Sequence, residues 1–229
     1  VLDGDMETLL IEGVTEILHR LPSLPPAVLV FTSCIHHFMG CDLALCYREL
    51  RKRFPDVDFT DCYMNPIMRK SGLTPDQLMR RQLYSLLKPR EQDDGVNILG
   101  NCFATDETSE LVKIIRKAGR PLRDITACKT YEDYQKMAAS TLHIVYNPPA
   151  KAGGEALSNR LGGTFLYLPL SYTAKTIREN LQTLCDALGT SYDPSEDEAR
   201  AEAALLHAKE LLGDTEIAID YTAAPAPMS

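Results

Sequence analysis

The sequence predicts an α/β fold in which Rossmann-like parallel sheets are covered by helices on both faces. Short runs of apolar residues recur along the chain, which is the pattern of strands buried in a parallel sheet. Segments about 10–15 residues long, in which apolar residues recur at helical spacing, alternate with these runs. Residues 27–63 contain a strand, a helix and a second strand, which together have the length of one βαβ unit.

The first part of the chain supplies five elements. Apolar residues at helical spacing before Leu21-Pro22 indicate the first helix. The run AVLVFTS is rich in valine and indicates a buried strand. Thr74-Pro75 followed by Gln77 is typical of a capped helix start. In order, we predict a helix over 5–20, a strand over 27–33, a helix over 40–54, a strand over 57–63 and a helix from Thr74.

After a polar, turn-rich segment over 88–95, strands and helices alternate regularly. We predict strands over 96–100, 121–127, 142–147, 164–168 and 216–222, with helices over 106–117, 131–139, 152–162, 173–188 and 195–213. The expected organisation is the C-terminal part of a first α/β domain over 1–91, a second Rossmann-like domain with its return helices over 92–213, and the first strand of a truncated domain over 214–229. Because Val1 is not an initiator methionine, we expect an internal piece of a longer chain.

Composition excludes several classes of protein. A net charge of −8 and a pI of about 5.2 disfavour a nucleic-acid or membrane-surface partner. There is no apolar run long enough to span a membrane and no signal-peptide pattern in the sequence. The seven cysteines are an odd number without dense spacing, which favours reduced thiols and a cytoplasmic location over a disulfide framework.

A dinucleotide or phosphate site is also disfavoured. Neither a G-x-G-x-x-G motif nor a G-x-x-x-x-G-K-[ST] motif follows a predicted strand. Asp106 and Glu107 are expected in the first turn of their helix, where carboxylates would repel a phosphate. Lys151 lies near glycines that serve as packing residues, and in the loop with Ser171 and Lys175 we favour a helix cap by Thr173.

Cys34 is the principal candidate for chemistry. It closes a predicted parallel strand at the carboxyl end, which is the edge where open α/β folds present ligands. A thiolate there is able to bind iron or zinc or to act as a nucleophile, although an isolated cysteine is more often a small buried hydrophobe. Adjacent histidines seldom bind one ion, so we expect at least one of His36 and His37 to be packed or solvent-facing.

The other cysteines give weaker signals. Cys62 ends a predicted strand and Cys102 follows another, so Cys62 is a candidate for the same crevice as Cys34. Cys41 and Cys46 lie five residues apart on one predicted helix and are expected on different faces. Cys128 and Cys185 are expected to be packing residues. The spacing does not match the C-x₂-C pairs of a structural zinc site.

Several strings and their order resemble the nitrogenase component 1 family. That family includes the molybdenum–iron protein subunits, the cofactor-assembly scaffold and the dark-operative protochlorophyllide reductase. Residues 30–50 (VFTSCIHHFMGCDLALCYREL) resemble a family strand followed by Thr-x-Cys and a helix opening. The strings VDFTDCYMNP with the later Gly72, VNILGN, LHIVY and LGGTFLYLPL occur in the family's order. The resemblance covers nearly the whole chain.

The resemblance implies a nitrogenase component 1-like architecture of three Rossmann-like domains. It implies that Cys34 is a ligand of an iron–sulfur cluster shared with a second subunit or a homodimer mate, and that Cys62 is a residue of the cofactor pocket. It further implies that electrons come from a separate ATP-dependent iron–sulfur reductase. The family's other cluster cysteines would lie before Val1, and most ligands of its large cofactor after Ser229.

The sequence departs from the family pattern at two places. Gly40-Cys41-Asp42 stands where the family has Gly-Asp-Asp, and 63–66 (Tyr-Met-Asn-Pro) replaces a Pro-Gly-Phe element. These differences point to a divergent nitrogenase-like oxidoreductase with an unknown substrate. The alternatives are a metallocofactor scaffold or carrier, and an α/β small-molecule binding module with structural cysteines.

The composition of this piece leads to two expectations about its behaviour. Because one thiolate is fewer than the four or so ligands that a cluster needs, we expect the piece alone to be inactive and to bind no intact cluster. We also expect its incomplete first domain to expose apolar surface and to self-associate.

Overall fold

The computed structural model describes residues 5–64, 72–216 and 218. They form two parallel sheets flanked by helices. None of the helices in these ranges is long and apolar enough to cross a membrane. The strands are β1 (Ala27–Ser33), β2 (Asp58–Met64), β3 (Val96–Leu99), β4 (Leu122–Asp124), β5 (Leu142–Val145) and β6 (Thr164–Tyr167). The helices are α1 (Met6–Arg20), α2 (Cys34–Phe38), α3 (Leu43–Arg53), α4 (Pro75–Ser85), α5 (Glu110–Lys117), α6 (Tyr131–Lys136), α7 (Lys151–Leu161), α8 (Ala174–Leu188) and α9 (Ser195–Leu212).

The first sheet consists of β1 and β2, which run parallel and pair along their whole length. Successive side chains of a strand point to opposite faces. Val28 and Val30 therefore share one face, and they pack with α1 and α3 around a core that contains Leu50 and Phe59. Helix α4 packs against β2 and covers the sheet from the other side.

The second sheet has the strand order β4-β3-β5-β6, and all neighbouring strands are parallel. The chain moves from β3 to β4 on one side and then crosses to β5 on the other, so the strand order reverses between β3 and β5. Leu142 and Ile144 face the core beneath α5 and α8. His143 and Val145 point the opposite way, and Val145 packs in the core beneath α6 and α7. The predicted fold class, parallel sheets with helices on both faces, is confirmed.

One hydrophobic core joins the two sheets. Ala27 and Leu29 of β1 pack against a buried cluster that includes Leu87 and Val145. Helix α4 lies between β2 and α7, which makes it part of both layers. A polar contact spans the same junction, since the Tyr131 hydroxyl of α6 donates to the Asp58 carboxylate of β2 at 2.7 Å. The predicted domain boundaries at 91/92 and 213/214 stay predictions.

The helix predicted over 40–54 is shorter than expected and is preceded by a separate helix that the sequence did not predict. Helix α2 ends at Phe38, and Gly40 adopts a φ of +67°, a left-handed conformation typical of the residue that follows a helix end. Helix α3 then begins at Leu43 because Asp42 caps it, accepting the backbone N–H of Leu45 at 3.0 Å.

Two further boundaries differ from the prediction. The helix predicted from Asp106 begins at Glu110, because Asp106 closes a turn by accepting the N–H of Thr108 at 2.7 Å, and Ser109 is the cap. The strand predicted over 121–127 ends at Asp124, whose carboxylate accepts the N–H of Thr126 at 2.8 Å and opens a short 3₁₀ turn. The strand predicted over 216–222 falls almost wholly outside the described residues.

Candidate functional site

Cys34 lies at the carboxyl end of β1, as predicted. The strand stops at Ser33, and Cys34 is the first residue of α2. Its side chain is partly exposed. Within four residues of it along the chain, Phe31, Ile35 and Phe38 are 57%, 56% and 67% exposed. We call these three side chains the Cys34 patch, and their exposure agrees with the expectation that this part of the chain presents apolar surface.

The two histidines after Cys34 take different positions. His36 Nδ1 accepts the backbone N–H of Ser33 at 3.2 Å, so this ring helps to close the start of α2. His37 is exposed and lies against the Phe38 ring, with 6.3 Å between ring centroids. Across residues 5–64, 72–216 and 218, His, Cys, Asp and Glu side chains do not form any group of three or more able to hold a metal ion.

Cys41 and Cys46 do not lie on separate faces of one helix, so that prediction is wrong. Cys41 precedes the cap residue of α3, and its side chain packs against the core cluster that contains Cys46. The two thiols lie close enough to interact with each other. Burial raises the pKa of both, that of Cys46 to about 12.

Cys62 lies inside β2 and not at its end. It pairs with Phe31 of β1, and the strand continues to Met64. Its side chain is fully buried, and burial together with the neighbouring Asp61 raises its pKa to about 11. The expectation that Cys62 ends its strand is therefore wrong, while its role as a pocket residue stays a prediction.

A cleft of about 650 Å³ opens at the carboxyl edge of the second sheet. It lies beside the ends of β3 and β5, where the strand order reverses, which is the usual place for ligands in an open α/β sheet. Cys102 lies in this cleft, on a different sheet from Cys34 and Cys62. Other residues of the lining are Asn101, Tyr146, Asn147, Leu168 and Ser171.

Asp124, which no sequence pattern singled out, holds two lining residues of the cleft, Asn101 and Thr105, in place. Its carboxylate accepts two contacts from the Asn101 amide at 2.8 and 3.0 Å, and the Thr105 hydroxyl at 2.7 Å. Burial acts to raise the pKa of Asp124, but the hydrogen bonds from Thr126, Asn101 and Thr105 outweigh it and lower the pKa. Asn101 follows β3 and Asp124 ends the adjacent strand β4, so the rule that carboxyl ends share an edge was the signal that could have found them.

The lining of this cleft is apolar and acidic. Asp106 and Glu110 line it, and it is not lined by lysine or arginine from the described part of the chain. Arg80 lies behind the loop, with Nη1 donating to the Gly100 carbonyl at 2.8 Å and Nη2 lying 3.7 Å from Cys102 Sγ. This arrangement disfavours a phosphate, in agreement with the sequence analysis.

The two other loops considered for phosphate have different contacts. Thr173 stands at the cap position of α8, but its hydroxyl donates to Thr176 Oγ1 at 2.9 Å and does not cap the backbone. The Lys151 ammonium lies over the ring of Tyr167, 4.9 Å from its centroid. The Thr173 hydroxyl and the Lys151 ammonium both contact neighbouring side chains, so these contacts do not favour a phosphate site at either loop.

The chain is an α/β protein with parallel sheets, a class of fold in which ligands usually bind at the carboxyl ends of the strands. A family model described as nitrogenase component 1 type oxidoreductase matches residues 5–223. The chain therefore belongs to the nitrogenase component 1 type oxidoreductases, as the resemblance predicted.

Solved structures share the fold. The structure of nitrogenase Cp1 at pH 5 aligns with a TM-score of 0.61 and 17% identity, over 91% of this chain and 42% of that chain. The structure of nitrogenase Cp1 at pH 6.5 aligns with a TM-score of 0.57 and 17% identity, over 91% of this chain and 40% of that one. The chain thus spans about two fifths of the length of these neighbours, and the likeness is one of fold. None of the curated proteins matches the sequence.

Proposed function

We propose that this chain is part of a nitrogenase-like iron–sulfur oxidoreductase subunit that accepts electrons from an ATP-dependent reductase and reduces a substrate not yet identified. Family membership supports the oxidoreductase class. The full activity, the substrate and the electron donor are proposals, because the chain spans only about two fifths of its structural neighbours.

The observation that carries the proposal is the position of Cys34. A structural cysteine would be buried within the core, whereas Cys34 is partly exposed at the end of a parallel strand. The Cys34 patch surrounds it with exposed apolar side chains, which suit a surface covered by another subunit. A thiolate at such an edge is able to bind a cluster from one side of an interface.

The described residues alone do not fit a complete cluster. Iron–sulfur clusters are held by about four thiolates, and Cys34 has no nearby pair of ligand-type side chains in the described ranges. We therefore propose that Cys34 supplies one ligand and that a second subunit, a homodimer mate or other parts of a longer chain supply the rest. The piece alone should be inactive and free of an intact cluster.

A second function is favoured by a different observation. The cleft of about 650 Å³ at the second sheet has the size and the location of a small-molecule site. A scaffold that holds a metallocofactor or its precursor, or a plain binding module, would use this cleft without turning over a substrate. In the binding module, Cys34 would have no ligand role.

The test is iron and labile-sulfide analysis with electron paramagnetic resonance, done without oxygen on the full-length parent protein. We expect the parent to contain a cluster and Cys34→Ala to lose or alter its signal. Cys185→Ala is the matched control, since Cys185 is a buried residue of α8 in the core of the second sheet and its replacement should leave the spectrum unchanged. A parent without iron, or a Cys34→Ala spectrum identical to that of the parent, would refute the ligand role.

Two additions to the same series address the other expectations. A Cys62→Ala variant tests the pocket role of Cys62, which requires a changed spectrum with unchanged iron content. The second addition is an assay of substrate reduction by the parent protein in the presence of a reductase and ATP. An oxidoreductase would reduce a substrate, whereas a scaffold would carry iron but consume no substrate.

A further inference from the structure

Cys41 and Cys46 lie on either side of the start of α3, at two positions whose side chains approach each other. Asp42 is the cap of the helix, so Cys41 is the residue before the cap and Cys46 is the fourth residue of the helix. Apolar side chains at these two positions commonly pack together and fix the angle at which the chain enters a helix. Here both positions carry thiols, Cys41 packs on the cluster that contains Cys46, and the two thiols interact with each other.

We propose that Cys41 and Cys46 form a reversible disulfide that fixes the start of α3, which makes the pair a redox modification site. The proposal concerns these two thiols only and does not depend on a cluster at Cys34.

The chemistry is a thiol–disulfide exchange with a small-molecule disulfide such as oxidised glutathione. The Cys41 thiolate attacks one sulfur of the oxidant, forms a mixed disulfide and releases one small thiol. The Cys46 thiol then loses its proton and attacks Cys41 Sγ, which forms the protein disulfide and releases the second small thiol. Two electrons pass from the pair of protein thiols to the oxidant, so one external disulfide becomes two thiols.

The order of attack follows from exposure. Cys41 is partly exposed, whereas Cys46 is fully buried beside the backbone of α1, with its Sγ 3.9 Å from the Glu7 carbonyl. The oxidant therefore reaches Cys41 first. Because burial raises the pKa of both thiols, thiolate is scarce at neutral pH, and closure should be slow there and faster at alkaline pH.

The disulfide would fix the loop that connects α2, the helix that begins at Cys34, with α3. The Cys41 N–H donates to the His36 carbonyl of α2 at 2.9 Å, so Cys41 is already tied to that helix. On the other side, the Asp42 N–H donates to a Glu7 carboxylate oxygen of α1. A covalent bond from Cys41 to Cys46 would hold α2, the connecting loop and α3 in one arrangement.

The experiment is equilibration of the full chain with oxidised glutathione at mildly alkaline pH, followed by alkylation and peptide mass spectrometry without reduction. We expect the titre of free thiols to fall by two from the seven of the reduced chain. The tryptic peptide over 21–48 contains Cys34, Cys41 and Cys46. It should lose two hydrogens and carry one alkyl group, on Cys34, and dithiothreitol should reverse the change.

Variants identify the partners. Cys41→Ser and Cys46→Ser should each abolish the loss of two hydrogens, and Cys185→Ser, a buried thiol in another core, should retain it. Because Cys46→Ser places a hydroxyl in a buried position, Cys46→Ala is the second variant at that site. A linkage that involves Cys34, a stable glutathione adduct that does not close, or thiols that all stay alkylatable after equilibration would each overturn the proposal.

Discussion

At the scale of single residues, the Asp124 carboxylate accepts hydrogen bonds from Asn101, Thr105 and Thr126 beside the cleft. Replacing it with asparagine presents an amide N–H₂ to donors from Thr105 and Thr126 and leaves some of them unpaired. We expect Asp124→Asn to lower the free energy of unfolding at pH 7 by about 1–3 kcal/mol. Urea denaturation measures this loss.

The pH dependence supplies a second readout for the same variant. Since hydrogen bonds lower the pKa of Asp124 in the folded protein, its stabilisation is present above the unfolded-state pKa of about 4 and is lost as the pH falls through the folded value. The difference between wild type and Asp124→Asn should therefore shrink in acid. Asp56→Asn, at an exposed loop position, should stay within about 0.5 kcal/mol of wild type. A gap that stayed constant with pH would contradict the role of the carboxylate.

His143 is a buried histidine in the middle of the second sheet. Asn97 Nδ2 lies 3.1 Å from its Nδ1 and also donates to the Met137 carbonyl at 2.7 Å. Nδ1 therefore accepts, and Nε2 carries the proton opposite the Gly162 carbonyl at 3.3 Å. Burial lowers the pKa of His143, and the contact with Gly162 offsets this only in part.

A lowered histidine pKa makes the folded state less stable in mild acid. Below about pH 6.5 His143 binds a proton in the unfolded chain but not in the folded chain. The free energy of unfolding should therefore fall as the pH drops, by at most about 1.4 kcal/mol per pH unit. His143→Gln should show a smaller slope between pH 7 and pH 5.5, although its overall stability is lower. Equal slopes in denaturant titrations of the two proteins would assign the pH dependence to other groups.

At the scale of elements, α4 begins with a complete capping box. Thr74 Oγ1 accepts the Gln77 N–H at 3.2 Å, and Gln77 Oε1 accepts the Thr74 N–H at 2.7 Å. We expect Thr74→Ala to lower the free energy of unfolding by about 1 kcal/mol, while Thr74→Ser keeps the hydroxyl and most of the stability. Thermal unfolding of the three proteins checks this order, and an alanine variant as stable as wild type would show that the cap is dispensable.

This cap was readable from sequence because all its signals lie within four residues. By contrast, α2 was not predicted, since five residues give too little length to show a helical period. In α1 the period was visible, but it did not decide which of the apolar residues are buried. Leu9 and Ile17 are exposed, and Ile11 and Leu18 are buried, because the position of α3 decides which side of α1 is covered.

At the scale of the whole molecule, fold class was predictable and the cleft was not. Strands buried on both faces appear as continuous apolar runs, which local sequence shows directly. The cleft instead combines Asn101 and Tyr146, with Asp124 bonded to Asn101, and these residues are far apart in sequence and meet only through the strand order. The proximity of Cys41 and Cys46 was not predicted because the helix was expected to begin at residue 40, which placed both cysteines inside it, whereas α3 begins at Leu43.

The shared core should make the two sheets unfold together. Leu87 is buried in the cluster that joins β1 to the second sheet, and Leu87→Ala should cost about 2–5 kcal/mol. Cys46 and Cys185 are buried thiols in the separate cores of the two sheets. In Leu87→Ala, alkylation of both should accelerate by the same factor, about 30-fold or more.

Peptide mass spectrometry of the alkylation time course measures both thiols in one sample. Leu50→Ala removes a similar side chain from the core of the first sheet alone and should also accelerate both thiols if the sheets unfold as one unit. Acceleration confined to Cys46 or to Cys185 in either variant would show two independently unfolding parts.

The Cys34 patch should determine whether the chain associates with itself. Exposed apolar side chains that another subunit would cover in a complete assembly remain in water when that subunit is absent, and burying them in a homomeric contact is favourable. We expect the average mass measured by light scattering to rise with concentration, and Phe38→Asp to weaken this rise by placing a charge in the contact. Phe103→Asp is the matched control, because Phe103 is 84% exposed but lies at the cleft of the other sheet. If both variants weaken the rise equally, the contact between copies does not involve the Cys34 patch. If the chain is a monomer at every concentration, the patch does not drive self-association.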